Sequence, residues 1–153
     1  MPYVCRNTIL KNEIMIQKLL SPTSWSTNAP DWASLILRLS LGLLMLSHGI
    51  PKLMKLLSGN MEFSDPIGIG VPASLTLTVF SEVVCSLLII IGLWTRLALI
   101  PLIITMLVAS FIIHINDDLG TKELALLYLF GYCALFLLGS GKYAFDAVLK
   151  RKA

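Results

Sequence analysis

A carboxylate and an imidazole stand where hydrocarbon is expected: Glu82 in "FSEVVCSLLIIIGLW" and His48 in "LILRLSLGLLMLSHGIPKLMKLL". The same two runs carry Arg38 and Lys52, and a line of small polar residues at Ser74, Thr78 and Ser86. Two later runs bring His114, Lys122, Glu123, Tyr128 and Tyr132. In an apolar medium such groups are suited to proton exchange and hydrogen bonding, with carboxylates accepting and ammonium, guanidinium and imidazole groups donating. An ionised side chain at a bilayer centre costs about 2.5–3.5 kcal/mol on insertion scales, so Glu82 must be paired, hydrated or protonated.

The elements that must hold these residues follow from composition. Of 153 residues, 56% are hydrophobic and 14% charged, whereas a soluble domain carries about 25% charged residues. Twelve basic and nine acidic side chains are too few to cover a soluble domain of this length. Lipid must be the solvent for most of the outer surface. A hydrocarbon core needs roughly 20 apolar residues per helical crossing. Four stretches qualify, at 32–57, 72–94, 97–115 and 124–138, the last lengthened by Lys122 and Glu123 at its mouth. None alternates in the manner of barrel strands. The expected fold is all-α, an integral membrane four-helix bundle over 32–145. A 31-residue N-terminal segment and linker precedes it, and a basic tail follows at 146–153.

Residues 1–31 show no apolar core before a small-residue cleavage site, and 8–20 read either as a surface helix or as disorder. Cys5, Cys85 and Cys133 have no metal-binding spacing. Cys85 and Cys133 read as small apolar residues within crossings.

Four crossings bring both termini to one side. There lie Arg6, Lys11, Lys18, Arg96, Lys142, Lys150, Arg151 and Lys152, against Lys52, Lys55 and Lys122 on the other. Eight basic residues against three put both termini in the cytoplasm under the positive-inside rule. The net charge of +3 follows this scatter along the membrane borders and indicates no nucleic-acid partner. On the outer side, "SGNMEFSDPIGIGV" reads either as a fold over the mouth of the bundle or as a solvated connector.

At about 1.5 Å per residue, measured from the cytoplasmic ends, Arg38 stands about 8 Å up and Glu82 about 18 Å. His48 stands about 22 Å up, His114 about 25 Å and Lys52 about 28 Å, with Lys122 and Glu123 close to His114. Arg38, His48 and Lys52 share one face of the first crossing, and Ser74, Thr78, Glu82 and Ser86 form a stripe on the second. These two faces should meet in the interior. His48 from the same depth and Arg38 from below are the candidates to pair with Glu82. Lys52, Lys55 and Lys122 read also as interfacial residues. Pro51 either kinks the first helix beside His48 or marks the exit from the membrane.

The runs "LILRLSLGLLMLSHGIPKL", "SDPIGIGVPASL", "FSEVVCSLLIIIGLWTRLALIPLIITMLVA" and "KELALLYLFGY" resemble the DoxX family of small four-helix bacterial membrane proteins. The resemblance spans residues 32–143. It rests on Arg38, the His48-Gly49-x-x-Lys52 motif, Glu82, Gly92, Thr95 and Arg96. It implies a bacterial inner-membrane protein linked to redox chemistry, as a subunit of a quinone-linked oxidoreductase or of an assembly that handles oxidative stress, with a quinone or another small molecule in the outer half of the bundle and redox subunits or a second copy of the chain as partners. The ligand-binding and proton-exchange candidates are then Arg38, His48, Lys52, Glu82, His114, Lys122, Glu123 and Tyr128. No residue is assigned a catalytic or metal-binding role, and no covalent haem, iron–sulfur or dinucleotide motif is present. A non-enzymatic assembly subunit and a conduit for protons or small solutes are the competing readings.

Overall fold

The computed structural model describes residues 28–152, with side chains through residue 149. The expected surface helix at 8–20 and Cys5 lie outside the described residues. Five helices follow one another: α1 (Ala29–Leu57), α2 (Val71–Ile91), α3 (Thr95–Ile113), α4 (Leu119–Leu138) and α5 (Phe145–Lys152). The first four are long and apolar enough to cross a membrane, and no strand occurs among the described residues. The fold is therefore all-α. Each span begins or ends within a few residues of its expected limit. The largest difference is the early start of α4, which the Asp118 cap extends; α1 starts early with Pro30 in its first turn, and α2 ends early at Ile91, where Gly92 closes it.

Helix α1 neighbours α2 and α4, and α3 neighbours the same two, as short up-and-down connections require. The faces turned outward are Ile36, Leu43, Leu44, Leu77, Leu97, Leu127 and Leu137, an arrangement that only lipid tolerates. Inside lie Met45, Leu75, Ile89, Leu99, Leu102, Tyr132 and Leu135, all almost fully buried.

The buried stripe of α1 runs Ser34, Arg38, Gly42, Met45 and Gly49, spaced by four, four, three and four residues. Its two glycines bring α1 hard against α2. A Cβ at Gly42 would stand 2.4 Å from the Ile90 side chain, and one at Gly49 would stand 3.0 Å from the carbonyl carbon of Glu82. Small residues at such a seam permit close backbone approach where lipid offers no hydrophobic driving force. Pro51 lies within α1, which continues to Leu57.

Two of the crossings are not uniform α-helix. Helix α2 passes through a π-helical stretch at Phe80–Cys85, and α3 ends in another at Ala109–Ile113. A π turn inserts an extra residue and resets the face that follows it. Glu82 sits in the first of these, and with Ser74, Ser81 and Ser86 it is buried.

At the end of the bundle that carries α5, here called the terminal end, the start of α1, the α2–α3 turn and the α4–α5 connection are tied together. Gly92 closes α2 with φ +79°, and Trp94 enters α3 with φ +48°, a left-handed conformation that costs a bulky residue. The carboxylate of Asp146 supports this turn from α5. It accepts from the N–H of Trp94 at 2.9 Å and of Thr95 at 3.3 Å, while its own N–H donates to the Gly92 carbonyl at 3.0 Å. Beneath the turn lies Arg38, 1% exposed, whose Nη2 donates to the Tyr143 carbonyl at 3.2 Å. Ser34 Oγ donates to the Gly139 carbonyl at 2.7 Å, and Asp31 accepts from the Lys142 N–H at 2.9 Å.

Gly92 is where this clasp is tightest: a Cβ there would stand 1.9 Å from Arg38 Nη1 and 2.9 Å from the Ala144 Cα. Gly59 has a similar φ of +73° and nothing within 4 Å. Gly92→Ala is therefore expected to destabilise the detergent-solubilised protein by about 3 kcal/mol or more, and Gly59→Ala by about 1–2 kcal/mol. Thermal melts of the two variants check this. Equal losses would show that only backbone conformation matters at Gly92.

Candidate functional site

The site at the opposite, far end is built from the contact of Gly49 with the backbone of Glu82. Because α1 has no side chain at that point, the carboxylate of Glu82 lies under the next turn of α1, and that turn carries Lys52. The Lys52 ammonium reaches down and forms an ion pair with Glu82 Oε1. The partner of Glu82 is thus neither His48 nor Arg38. Residue counting places Lys52 too high to qualify, because it ignores both the length of a lysine stem and the register that Gly49 imposes. The Glu82 side chain is 3% exposed and that of Lys52 31%. Glu82 Oε2 is buried and meets no hydrogen-bond partner among the described residues.

Two cavities flank this pair, and both are lined by Lys52 and Glu82. The larger, about 260 Å³, lies between α2 and α3 and includes Thr78, Thr105, Val108 and His114 in its wall. Its roof is the α1–α2 connection, through Phe63, Pro66, Ile67 and Ile69. Leu77 and Ile104, 56% and 54% exposed, form the outer edge, so the cavity communicates with the lipid face between the two helices. The smaller, about 130 Å³, lies toward α4 and is bounded by Met45, His48, Met106 and Tyr128.

His48 is exposed at the edge of the bundle, not in its centre. One residue away from Gly49, its side chain turns from α2 toward α4, where the imidazole meets the Tyr128 ring edge-on at 5.9 Å. Tyr128 stacks on Tyr132 at 5.9 Å, and the Tyr132 hydroxyl is buried without a partner among the described residues. The structure therefore gathers Lys52, Glu82, His48 and Tyr128 around one cavity, and Lys52, Glu82 and His114 around the other. The imidazole of His114 is 2.7 Å from Asp117, through Nδ1.

Three of the eight candidates stand elsewhere. Arg38 belongs to the terminal-end clasp, far below Glu82, although it shares a helix face with Lys52. Lys122 donates to the Ile115 carbonyl at 2.7 Å and closes the α3–α4 connection, and Glu123 is exposed beside it. Neither lines a cavity. Both lie where α4 has already left the core, because α4 starts at Leu119 and carries them on its first turn.

The roof is held by a residue that patterning did not single out. Asp65 Oδ1 accepts from Ser74 Oγ at 2.7 Å and from the Ile69 N–H at 3.1 Å, and Oδ2 accepts from the Gly70 N–H at 2.7 Å. The loop is thereby folded onto the start of α2. The available signal was "SDPIGIG", an Asx-type turn sequence with glycines at Gly68 and Gly70, both of positive φ. Asp146 was likewise missed, since a lone aspartate in a basic tail reads as solvated.

These features define a small four-helix integral membrane protein with a roofed, partly polar chamber at one end. A model of the DoxX family, described as DoxX, matches residues 33–115. The chain belongs to the DoxX family. It is also 29% identical over 161 aligned residues to a protein of Mycobacterium tuberculosis described as an uncharacterized membrane protein, covering 82% of this chain and 92% of that one. No solved structure matches. The family match contains Arg38, His48, Lys52, Glu82 and the Gly92–Arg96 turn, and it ends before α4.

The roof has a definite pH dependence. The Ser74 hydroxyl, and then the N–H groups of Gly70 and Ile69, hold the Asp65 carboxyl below its ordinary value against an opposing effect of burial. Its contribution is therefore present above the unfolded value of about 3.9 and is lost as pH falls through the lowered folded value. Hydrogen exchange across residues 63–70, corrected for intrinsic rates, is expected to show unchanged protection from pH 7 to 5 and loss only below about pH 4. Asp65→Asn should abolish that transition. Its persistence in the variant would assign the transition to another group.

Proposed function

We propose that this chain is a redox-linked subunit of a membrane complex, holding a quinone or quinol headgroup in the chamber between α2 and α3. The observation that carries this reading is Glu82 Oε2, a buried carboxylate oxygen with no partner among the described residues, beside the Lys52 ammonium at a partly polar cavity. A headgroup with one hydroxyl or carbonyl at each end of a ring needs an acceptor, a donor and flat apolar walls. Glu82 supplies the acceptor, Lys52 the donor, and Leu77, Ile104 and Val108 the walls. A volume of about 260 Å³ suits a single substituted ring, and the opening between Leu77 and Ile104 lets an isoprenoid tail lie in lipid.

Bound quinol supplies two electrons and two protons on oxidation. Glu82 is placed to take a proton from the hydroxyl nearest it, and Lys52 to hold the second oxygen in position. His114 at the wall of the chamber is placed to take the proton of the second hydroxyl, so that both protons leave the quinol with its two electrons. The electrons leave to a partner subunit bearing a haem or iron–sulfur centre, a chemistry for which this sequence has no attachment motif. The excess of basic residues at the terminal end supports an orientation with both termini in the cytoplasm of a bacterial inner membrane and the chamber in the outer half.

Calorimetric titration of the purified protein with a short-tailed quinone analogue tests the reading. Wild type is expected to bind, and Glu82→Gln and Lys52→Met to bind at least about tenfold more weakly, the worth of one charge-assisted hydrogen bond. Thr78→Phe should also abolish binding, because it fills the chamber and leaves the ion pair in place. His48→Ala, in the other cavity, should bind as wild type does. Equal affinity in all five proteins would contradict the site and favour an assembly role, in which the same substitutions reduce only folded yield.

A further inference from the structure

We propose that a second site, at the terminal end, binds the phosphate of an anionic phospholipid. A groove of about 720 Å³ lies there between the α2–α3 turn, the α4–α5 connection and α5. It is independent of the quinone chamber, since the two share no residue.

The groove is chemically two-sided. Its polar wall is formed by Arg96, Ser140 and Gly141. Arg96 forms no ion pair or hydrogen bond with any described residue; its guanidinium lies over the Phe136 ring, 6.0 Å from the centroid. The positive φ of Gly139 removes any side chain from beside that guanidinium: a Cβ there would stand 3.5 Å from Nη2. The N–H groups of Ser140 and Gly141 likewise meet no acceptor among the described residues. Asp146 also lines the groove, but its carboxylate is engaged by Trp94 and Thr95 at the start of α3 and does not neutralise Arg96.

The other side is apolar and exposed. Trp94, Leu97, Leu138 and Leu149 are between 44% and 64% exposed around the same groove. A soluble anion would leave these four side chains uncovered. A phospholipid satisfies both sides at once, with its phosphate on Arg96 and the free amides and its acyl chains along Leu97 and Leu138. The position agrees, because the groove lies at the ends of the spanning helices, where headgroups sit. The sequence adds Lys150, Arg151 and Lys152 along α5, a charge pattern that favours an anionic over a zwitterionic lipid.

Native mass spectrometry of the delipidated full-length protein, titrated with phosphatidylglycerol or phosphatidylcholine, tests the proposal. Wild type is expected to retain phosphatidylglycerol at least about tenfold more tightly than phosphatidylcholine. Arg96→Gln should lose that preference. So should Ser140→Glu, which leaves Arg96 intact and puts a negative charge in its groove. Lys55→Gln, an equal loss of charge at the far end, should keep it. Undiminished preference in Arg96→Gln and Ser140→Glu overturns the site, as does equal retention of the two lipids by wild type. Displacement of phosphatidylglycerol by millimolar glycerol 3-phosphate would assign the groove to a soluble phosphate and overturn the lipid claim.

Discussion

A carboxylate buried between spanning helices sets the terms for everything at the far end of this bundle. Glu82 is closed off from solvent on every side but that of Lys52 and the two cavities. Burying a charge is tolerable only where a partner and hydrogen bonds replace water. Three local features bring the partner within reach. Gly49 removes the side chain that would keep α1 away, the π turn at Phe80–Cys85 turns Glu82 inward, and Lys52 stands on the following turn of α1 with a stem long enough to reach down. The roof through Asp65 then encloses what the pair has created. Its carboxylate stitches the connection to the first turns of α2, so that Phe63 and Ile67 lie over the cavity instead of in solvent.

The terminal end solves a different problem with related means. Arg38 is as deeply buried as Glu82, yet it faces backbone carbonyl and turn atoms, with Asp146 as the nearest source of opposing charge. Apart from His48 and Arg96, the residues that carry the family resemblance therefore divide into two groups. Arg38, Gly92 and Thr95 belong to a clasp that fixes the ends of α2, α3 and α5. Lys52 and Glu82, brought together where Gly49 lets α1 approach α2, form an ion pair beside a cavity. Both leave buried polar atoms without a partner among the described residues, Arg38 Nε and Nη1 in the first and Glu82 Oε2 in the second, but Glu82 also lines the two cavities beside Lys52. That is why the functional reading rests there, while Arg38 is read as a structural residue.

Much of this was legible in the sequence, for identifiable reasons. Four long apolar runs admit no fold but spanning helices, and the four-residue spacing of Ser74, Thr78, Glu82 and Ser86 marks an inward face, three of whose members are fully buried. The folded α1–α2 connection was one of two open readings. What sequence patterning missed is what depends on register between helices. Height counted along one helix carries no information about how far its neighbour has slid, so it offers His48 and Arg38 as partners of Glu82 and passes over Lys52. Azimuth fails similarly: a straight 100° step groups Arg38, His48 and Lys52, whereas packing sends the first to the clasp, the second to the lipid edge and the third to Glu82. The π turns have no composition that marks them. Asp65 and Asp146 act through backbone N–H groups that only folded turns bring together.

The central claim is that Lys52 and Glu82 form one interior unit. A double-mutant cycle in the reconstituted protein, with Lys52→Met, Glu82→Gln and the combined variant measured by reversible unfolding, tests it most directly. The account predicts that the Lys52 change alone, which leaves a bare carboxylate inside, costs roughly 3–5 kcal/mol, and that the combined variant recovers at least about 1.5 kcal/mol of the summed loss. Losses that add to within about 0.5 kcal/mol would contradict it.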